Sequence, residues 1–270
     1  MTAARSLMFH KLAEYYDAFV DDKDYRGESR RLETLARRYC RSGGRSWLDV
    51  ACGTGRHLEF LRRSHSVVGL DRSVEMLRVA RHRLPKVRFV KADMRTFRLD
   101  RSFDVVSCTF GAVGHLATER DLRAAFTNFA RHLKPGGVAI VEPWIDPAGF
   151  RPGFLHLMKH EERSASLVRL SHSSRRGNHS VLRIHYLIGE PSRGVRHFEE
   201  TEVGLMVSRR RLRELMADAG LVPRLLPHGL RPGRGLLLGT KPRSRRSKRR
   251  SADPSSYRND RRRSPGEPFQ

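Results

Sequence analysis

The strongest constraint on this chain is a change of rhythm that recurs between Ser46 and Glu142. Short apolar runs give way to longer stretches with helical spacing and then return. The runs Ser46–Ala51, Ser66–Leu70, Val87–Lys91, Phe103–Cys108 and Gly137–Glu142 read as strands. Arg56–Arg63, Val74–Arg83 and Glu119–Leu133 read as helices between them, and Gly27–Tyr39 as an earlier helix with Leu32, Leu35 and Ala36 facing inward. Strands joined through helices imply right-handed crossovers and parallel neighbours. The expected fold class is therefore α/β, an open, doubly wound sheet covered on both faces.

The rhythm changes after Glu142. Leu167–Ser173 and Val181–Ile188 read as strands around a turn at 175–178, with a third at Arg196–Ser208, so an antiparallel β insertion is expected over residues 147–208. Arg209–Ala219 is an amphipathic helix stopped by Gly220. The short strands Val222–Leu226 and Gly235–Thr240 are expected to complete the main sheet. From Lys241 onward Arg, Ser, Pro and Asp dominate. That composition cannot bury enough apolar surface to offset its ordering entropy, so one domain over 1–240 and a disordered tail over 241–270 are expected.

Charge narrows the function less than its size suggests. Basic residues number 54 against 29 acidic, for a formal net charge of +25. The tail holds 11 basic and 3 acidic residues, 11 − 3 = +8, so most of the excess is spread over the rest. Such a chain attracts polyanions whatever its task, and nonspecific nucleic-acid contact through the tail is expected. No apolar run approaches the roughly 18–20 residues needed to cross a bilayer, and the N-terminus has no apolar signal core, which points to a cytoplasmic protein without membrane contact. Cys40, Cys52 and Cys108 are widely spaced and form no CxxC pair, so they are expected as free thiols with no metal site.

The chemistry concentrates at the first strand-to-helix turn, Leu48-Asp49-Val50-Ala51-Cys52-Gly53-Thr54-Gly55. This is where a doubly wound sheet exposes backbone amides at its carboxyl edge. Gly53 and Gly55 let a ligand approach the main chain. The pattern is not GxGxxG, because Leu58 stands at the third position and is expected to hold helix and strand apart. Asp49 also suits a cationic ligand better than a pyrophosphate. Asp71, 22 residues after Asp49 at the end of the second strand, lies where a ribose diol would be held. Asp93-Met94 follows the third strand and offers a carboxylate and an apolar surface to an adenine. Three acids at consecutive strand ends are expected to form one site.

With Leu133-Lys134-Pro135-Gly136-Gly137 before the fifth strand, these motifs resemble class I S-adenosylmethionine-dependent methyltransferases, whose sheet is Rossmann-like. The resemblance implies S-adenosylmethionine as cofactor, contacted by Asp49, Ala51, Gly53, Gly55, Asp71, Asp93 and Met94. A closer resemblance spans Tyr16 to Pro242 through Tyr16-Asp17, Lys23-Asp24-Tyr25, Ala92-Asp93-Met94-Arg95, Val113-Gly114-His115-Leu116, Val141-Glu142-Pro143-Trp144, Ser171-His172-Ser173-Ser174-Arg175, Gly194-Val195-Arg196-His197 and Arg234-Gly235-Leu236. Together these look like the N,N-dimethyltransferases of dTDP-3-amino-3,6-dideoxyhexoses. The sequence departs from them at Gly111 and Ala112, where the family has serines, and in the Arg-rich tail.

The resemblance implies N-methylation of a nucleotide-activated amino sugar. His115 is then the candidate base or acceptor for the amine, and Tyr16 orients the amine or covers the cofactor. Arg234, His172 and Arg175 are candidates for the diphosphate. The insertion is expected to select the acceptor and to supply a homodimer contact. An RNA or protein methyltransferase recruited by its basic surface is the alternative. Methylation of a base exocyclic amine is disfavoured, since Cys108-Thr109-Phe110-Gly111 replaces the Asn/Asp-Pro-Pro-Tyr that follows the fourth strand in such enzymes.

Overall fold

The computed structural model describes residues 6–20, 23–230 and 234–243. A seven-stranded sheet has the spatial order β3-β2-β1-β4-β5-β11-β10, from β1 (Ser46–Val50), β2 (Ser66–Asp71), β3 (Arg88–Lys91), β4 (Phe103–Cys108), β5 (Leu133–Val141), β10 (Val222–Leu226) and β11 (Leu236–Thr240). The first five are parallel, while β11 runs antiparallel to β5 and β10 antiparallel to β11. Chain order reverses direction beside β1, so the β1 and β4 ends flank the crevice where ligands of such sheets bind. The expected α/β sheet is thus present, completed by its last two strands.

Helices α1 (Tyr25–Tyr39), α2 (Arg56–Leu61), α3 (Val74–Arg83), α4 (Glu119–His132) and α5 (Arg209–Asp218) cover this sheet. Side-chain caps fix four of their starts: Asp24, Ser73, Thr118 and Ser208 each accept from the backbone amide three residues on. Trp47, Phe103, Phe126 and Phe129 are fully buried between the layers. Leu58 does not hold α2 away from the sheet. It packs onto Gly69 of β2, where a Cβ would lie 2.8 Å from the Leu58 side chain, so the missing side chain on the strand makes room for the large one on the helix.

The insertion is a four-stranded antiparallel sheet, β6 (Leu155–Glu161), β7 (Ser166–Arg176), β8 (His179–Glu190) and β9 (Gly194–Leu205), in that order. The hairpin strands are longer than expected, and β6 is additional. Two turns of the fold also differ from expectation. Lys134-Pro135-Gly136-Gly137 lies within β5 as an irregular step, between the pairings of Leu133 with Phe103 and of Val138 with Val105, with Gly136 at φ +81°. Lys241, read as the start of the tail, belongs to the fold: its ammonium donates to the carbonyls of Ala130 and Leu133 at 2.8 and 2.7 Å, closing the end of α4. The rest of the expected tail, from residue 244, lies outside the described residues.

Candidate active site

A cavity of about 650 Å³ opens at the carboxyl ends of β1 to β4. Ala51 and Gly53 line it from the β1 turn, and both have left-handed backbone, with φ of 57° and 53°. A Cβ on Gly53 would meet no protein atom within 4 Å, so that face of the loop is open to a ligand. The Gly53 amide donates to Asp71 Oδ2 and the Ser73 amide to Asp71 Oδ1, both at 2.9 Å. Each Asp71 oxygen keeps an accepting position toward the cavity. Burial raises the Asp71 pKa, and the two amide bonds oppose that rise.

The three acids do not form one surface. Asp49 is 2 % exposed and lies beneath the loop, accepting from the Ser107 hydroxyl at 2.7 Å. It does not line the cavity, and neither does Gly55, which starts α2 at φ 79° with its α-carbon facing Ala80, Leu84 and Phe89. The two residues shape the turn from behind. Asp93 and Met94 do line the cavity. The Asp93 carboxylate is gripped by Arg95, whose backbone and Nε donate to Oδ1 and whose Nη2 donates to Oδ2 at 2.8 Å. Arg95 also reaches Asp121 of α4 at 2.9 Å, tying the two edges of the cavity together. This pairing lowers the pKa of Asp93 against the effect of its burial. Asp93 Oδ2 keeps room for a further donor.

The loop after β4 carries His115. Phe110 opens that loop at φ +57°, a conformation that branched or bulky side chains rarely adopt, and it lines the cavity. Gly111 and Gly114 follow because Trp144 occupies the space of their side chains: a Cβ at either position would lie 2.6 Å from the Trp144 ring or its Cβ. His115 therefore sits between Trp144, at 6.1 Å, and Phe9, at 5.2 Å edge-on. Tyr16 is 6.1 Å from the same Phe9. Among the described residues neither the His115 ring nor the Tyr16 hydroxyl hydrogen-bonds to protein, and both line the cavity. Burial, helped by Arg72, lowers the His115 pKa to about 4. Burial, then Tyr25 and Asp17, pushes the Tyr16 pKa well up, so the imidazole is neutral and the phenol protonated at pH 7.

Of the residues read from sequence, Tyr16, Ala51, Gly53, Asp71, Asp93, Met94 and His115 meet at this cavity. His172, Arg175 and Arg234 do not. His172 points out of β7 between the buried Ser171 and Ser173, and Arg175 is exposed at the hairpin end, donating to the Gly177 carbonyl at 2.8 Å. The strand alternation that buries the serines sends His172 to the opposite face. Arg234 is half-buried with its guanidinium 5.1 Å over the Trp144 ring, lining a second cavity of about 480 Å³ with Asp146 and Arg209. Trp144 thus lies between His115 and Arg234. Sequence reasoning missed Phe9 and Arg72 as cavity residues. The signal for Arg72 was its place directly after the acid at the β2 end. Nothing in the pattern around Phe9 distinguished it from an ordinary apolar anchor.

These features fit S-adenosylmethionine: an open glycine turn beside a buried carboxylate with free accepting positions, and a second carboxylate next to Met94. The family model described as "Methyltransferase domain" matches residues 48–137. A dTDP-3-amino-3,6-dideoxy-alpha-D-glucopyranose N,N-dimethyltransferase of Streptomyces fradiae is 40% identical over 232 residues, covering 85% of this chain and 90% of that protein. The crystal structure of Streptomyces venezuelae DesVI superposes with a TM-score of 0.80 at 38% identity, covering 85% of this chain and 98% of that one. The S-adenosylmethionine-bound structure of CalS10, an amino pentose methyltransferase from Micromonospora echinaspora, gives 0.76 at 34% identity, with 88% and 99% covered. A shared cofactor turn alone would have left the insertion unmatched, whereas these relatives extend across it; the chain belongs to the S-adenosylmethionine-dependent methyltransferases, in the family of the amino-deoxysugar N,N-dimethyltransferases.

Proposed function

We propose that this enzyme methylates the amino group of a dTDP-linked amino deoxysugar. The observation that carries the reading is a cavity of about 650 Å³ with two polar groups at its wall, His115 and Tyr16, that make no hydrogen bond to protein among the described residues. The relatives named above, matched over most of their length, supply the acceptor class.

When bound, S-adenosylmethionine would supply an electrophilic methyl group, which the amine takes by in-line attack on its carbon while the sulfur leaves as the neutral thioether of S-adenosylhomocysteine. Asp71 would hold the ribose hydroxyls, and Asp93 with Met94 would hold the adenine. Neutral His115 accepts an N–H of the acceptor amine, which turns the nitrogen lone pair toward the methyl position. With a pKa near 4 its imidazole is too weakly basic to keep the proton that the product ammonium releases, so that proton passes to water. Of the two roles expected for His115, base or acceptor, this reading keeps the acceptor that orients the amine. Tyr16 keeps its proton and donates. Phe9, Phe110 and Leu116 exclude water from the same space. Holding two reactants in line in this way accounts for up to about 7–11 kcal/mol of barrier in model reactions, so alignment is the main contribution asked of the protein.

Arg234 meets the acceptor's diphosphate from the far side of Trp144, where a forked guanidinium can hold two oxygens and Lys offers a point contact. His172 and Arg175 take no part in this reading, because the sheet turns them away. Arg234→Lys raises the acceptor KM without changing S-adenosylmethionine affinity, and the effect disappears with an amino sugar lacking the nucleotide. Equal losses with both acceptors would refute the assignment.

A second copy of the chain covers the outer face of the insertion. Leu155, Leu157, Leu170, Leu187, Val195 and Val203 stand on that face 63, 64, 41, 42, 76 and 39 % exposed, with Leu155, Leu157 and Leu170 adjoining across β6 and β7 and the others set among polar residues. Among the described residues no helix is long and apolar enough to cross a membrane, and we place the enzyme in the cytoplasm. For the Arg-rich segment beyond residue 243 we keep the nonspecific attraction to nucleic acid that its charge implies.

A further inference from the structure

The N-terminal segment that carries Phe9 and Tyr16 is fastened to both ends of α3. At the first turn of the helix the Ser73 hydroxyl donates to the Phe9 carbonyl, and His10 Nδ1 meets Glu75 at 2.8 Å. At the last turn Arg83 closes a clasp. One guanidinium nitrogen pairs with Asp17 Oδ2, another donates to the Thr54 carbonyl at 2.7 Å, and the Thr54 hydroxyl donates to Asp17 Oδ1 at 2.6 Å. None of the three lines the cavity. Asp17 adjoins Tyr16, however, and Thr54 adjoins Gly53, so one guanidinium sets two cavity residues that lie far apart in sequence.

The segment has little means of holding itself. Its 3₁₀ turns, Ala13–Tyr15 and Ala18–Val20, have three residues each, and the first lacks a side-chain cap. Turns that short are marginal without outside contacts. The clasp is better placed to hold the segment than an ordinary surface pair. Thr54 is 2 % exposed, the Arg83 and Asp17 side chains are 23 and 24 % exposed, and each member makes two of the three contacts.

We propose that Asp17 and Arg83 are positioning residues for the cofactor: their clasp through Thr54 fixes Tyr16 relative to Gly53, and opening it loosens the segment that covers bound S-adenosylmethionine. The inference needs only the cofactor and not the acceptor, so it stands or falls separately from the sugar reading. The test is calorimetry with S-adenosylmethionine, together with hydrogen exchange of amides 13–20 in the cofactor-free protein. The variants are Asp17→Asn, Arg83→Ala, the double variant and Thr54→Val. Each charge variant weakens binding about tenfold. The double variant weakens it by no more than about twice that, because either change alone already opens the clasp. Exchange at 13–20 accelerates in all three. Thr54→Val keeps the ion pair and the buried volume. It loses about threefold in affinity, and it decides the matter if the charge variants fail to fold. Wild-type affinity in Asp17→Asn and Arg83→Ala, or in Thr54→Val, would overturn the proposal. So would a double variant whose loss is the product of the single losses, or weakened binding with unchanged exchange at 13–20.

Discussion

Trp144 and Phe9 pack against His115 beside the cavity, and its burial decides what the histidine can do. Because its folded pKa of about 4 lies below the ordinary 6.5, the unfolded chain binds more protons between those values. The stability His115 permits is present above pH 6.5 and is lost as pH falls toward 4. Relative to His115→Asn, the wild type therefore loses on the order of 2–3 kcal/mol over that window, readable as a difference between two denaturation series. In turnover the same variant falls by only about three- to tenfold, since the Asn amide oxygen still accepts, less well placed, and no base is lost. The acid limb of its kcat/KM stays where it was, because that limb belongs to the acceptor ammonium. A limb that moved or vanished in His115→Asn would restore the base. At this scale the sequence displayed residue types and not their depth. Asp49 and Asp71 both stand near strand ends, yet Asp49 pairs with Gly69, two residues deeper in the sheet, and is sealed under the loop against Ser107, while Asp71 faces the cavity. The register of the parallel pair, which composition and spacing do not display, separates them.

Elements were more legible than residues, for a physical reason. Buried strands such as β4 and capped helices such as α3 announce themselves through apolar runs and through Ser73 at the start, and their bounds match those expected, Phe103–Cys108 and Val74–Arg83. Strand β6 was not legible. Its Leu155 and Leu157 are exposed and share a face with Lys159 and Glu161, while His156, Met158 and His160 alternate with them, so neither face is uniformly apolar or polar. The other end of the main sheet depends on a residue that no pattern marked. Asp104 is fully buried at the start of β4, where it accepts from Ser42, the amides of Gly44 and Ser46, and Lys134. Burial alone would raise its pKa, but Lys134, Ser42 and Ser46 outweigh that and hold it far below the carboxylate range. Its contribution is thus present above the unfolded pKa near 4 and is lost as pH falls further. Asp104→Ala leaves those donors unpaired and costs about 3 kcal/mol in denaturant unfolding, while S-adenosylmethionine affinity in the folded fraction is unchanged. A variant as stable as wild type would show that the loop before β1 is held by other contacts.

Over the whole molecule, the two sheets divide the work: the seven-stranded sheet presents the cofactor edge, and the four-stranded sheet turns outward a face on which exposed Leu and Val side chains stand among charged and histidine residues. If a second copy covers that face, Leu157→Lys combined with Leu170→Lys, neighbours in the β6–β7 register, converts a dimer to a monomer in sedimentation, with S-adenosylmethionine binding retained. A wild-type monomer at micromolar concentration would contradict it. The net charge of +25 suggested polyanions, yet the cavity itself is mixed, with Arg95 neutralised between Asp93 and Asp121. Composition described the surface and not the site. The most direct measurement is mass spectrometry of dTDP-3-amino-3,6-dideoxyglucose incubated with the full chain and S-adenosylmethionine, beside a bulk RNA control. The account predicts that the sugar nucleotide gains one and then two methyl groups while the RNA gains none. Methylated RNA with an unchanged sugar nucleotide, at equal cofactor occupancy, would contradict it.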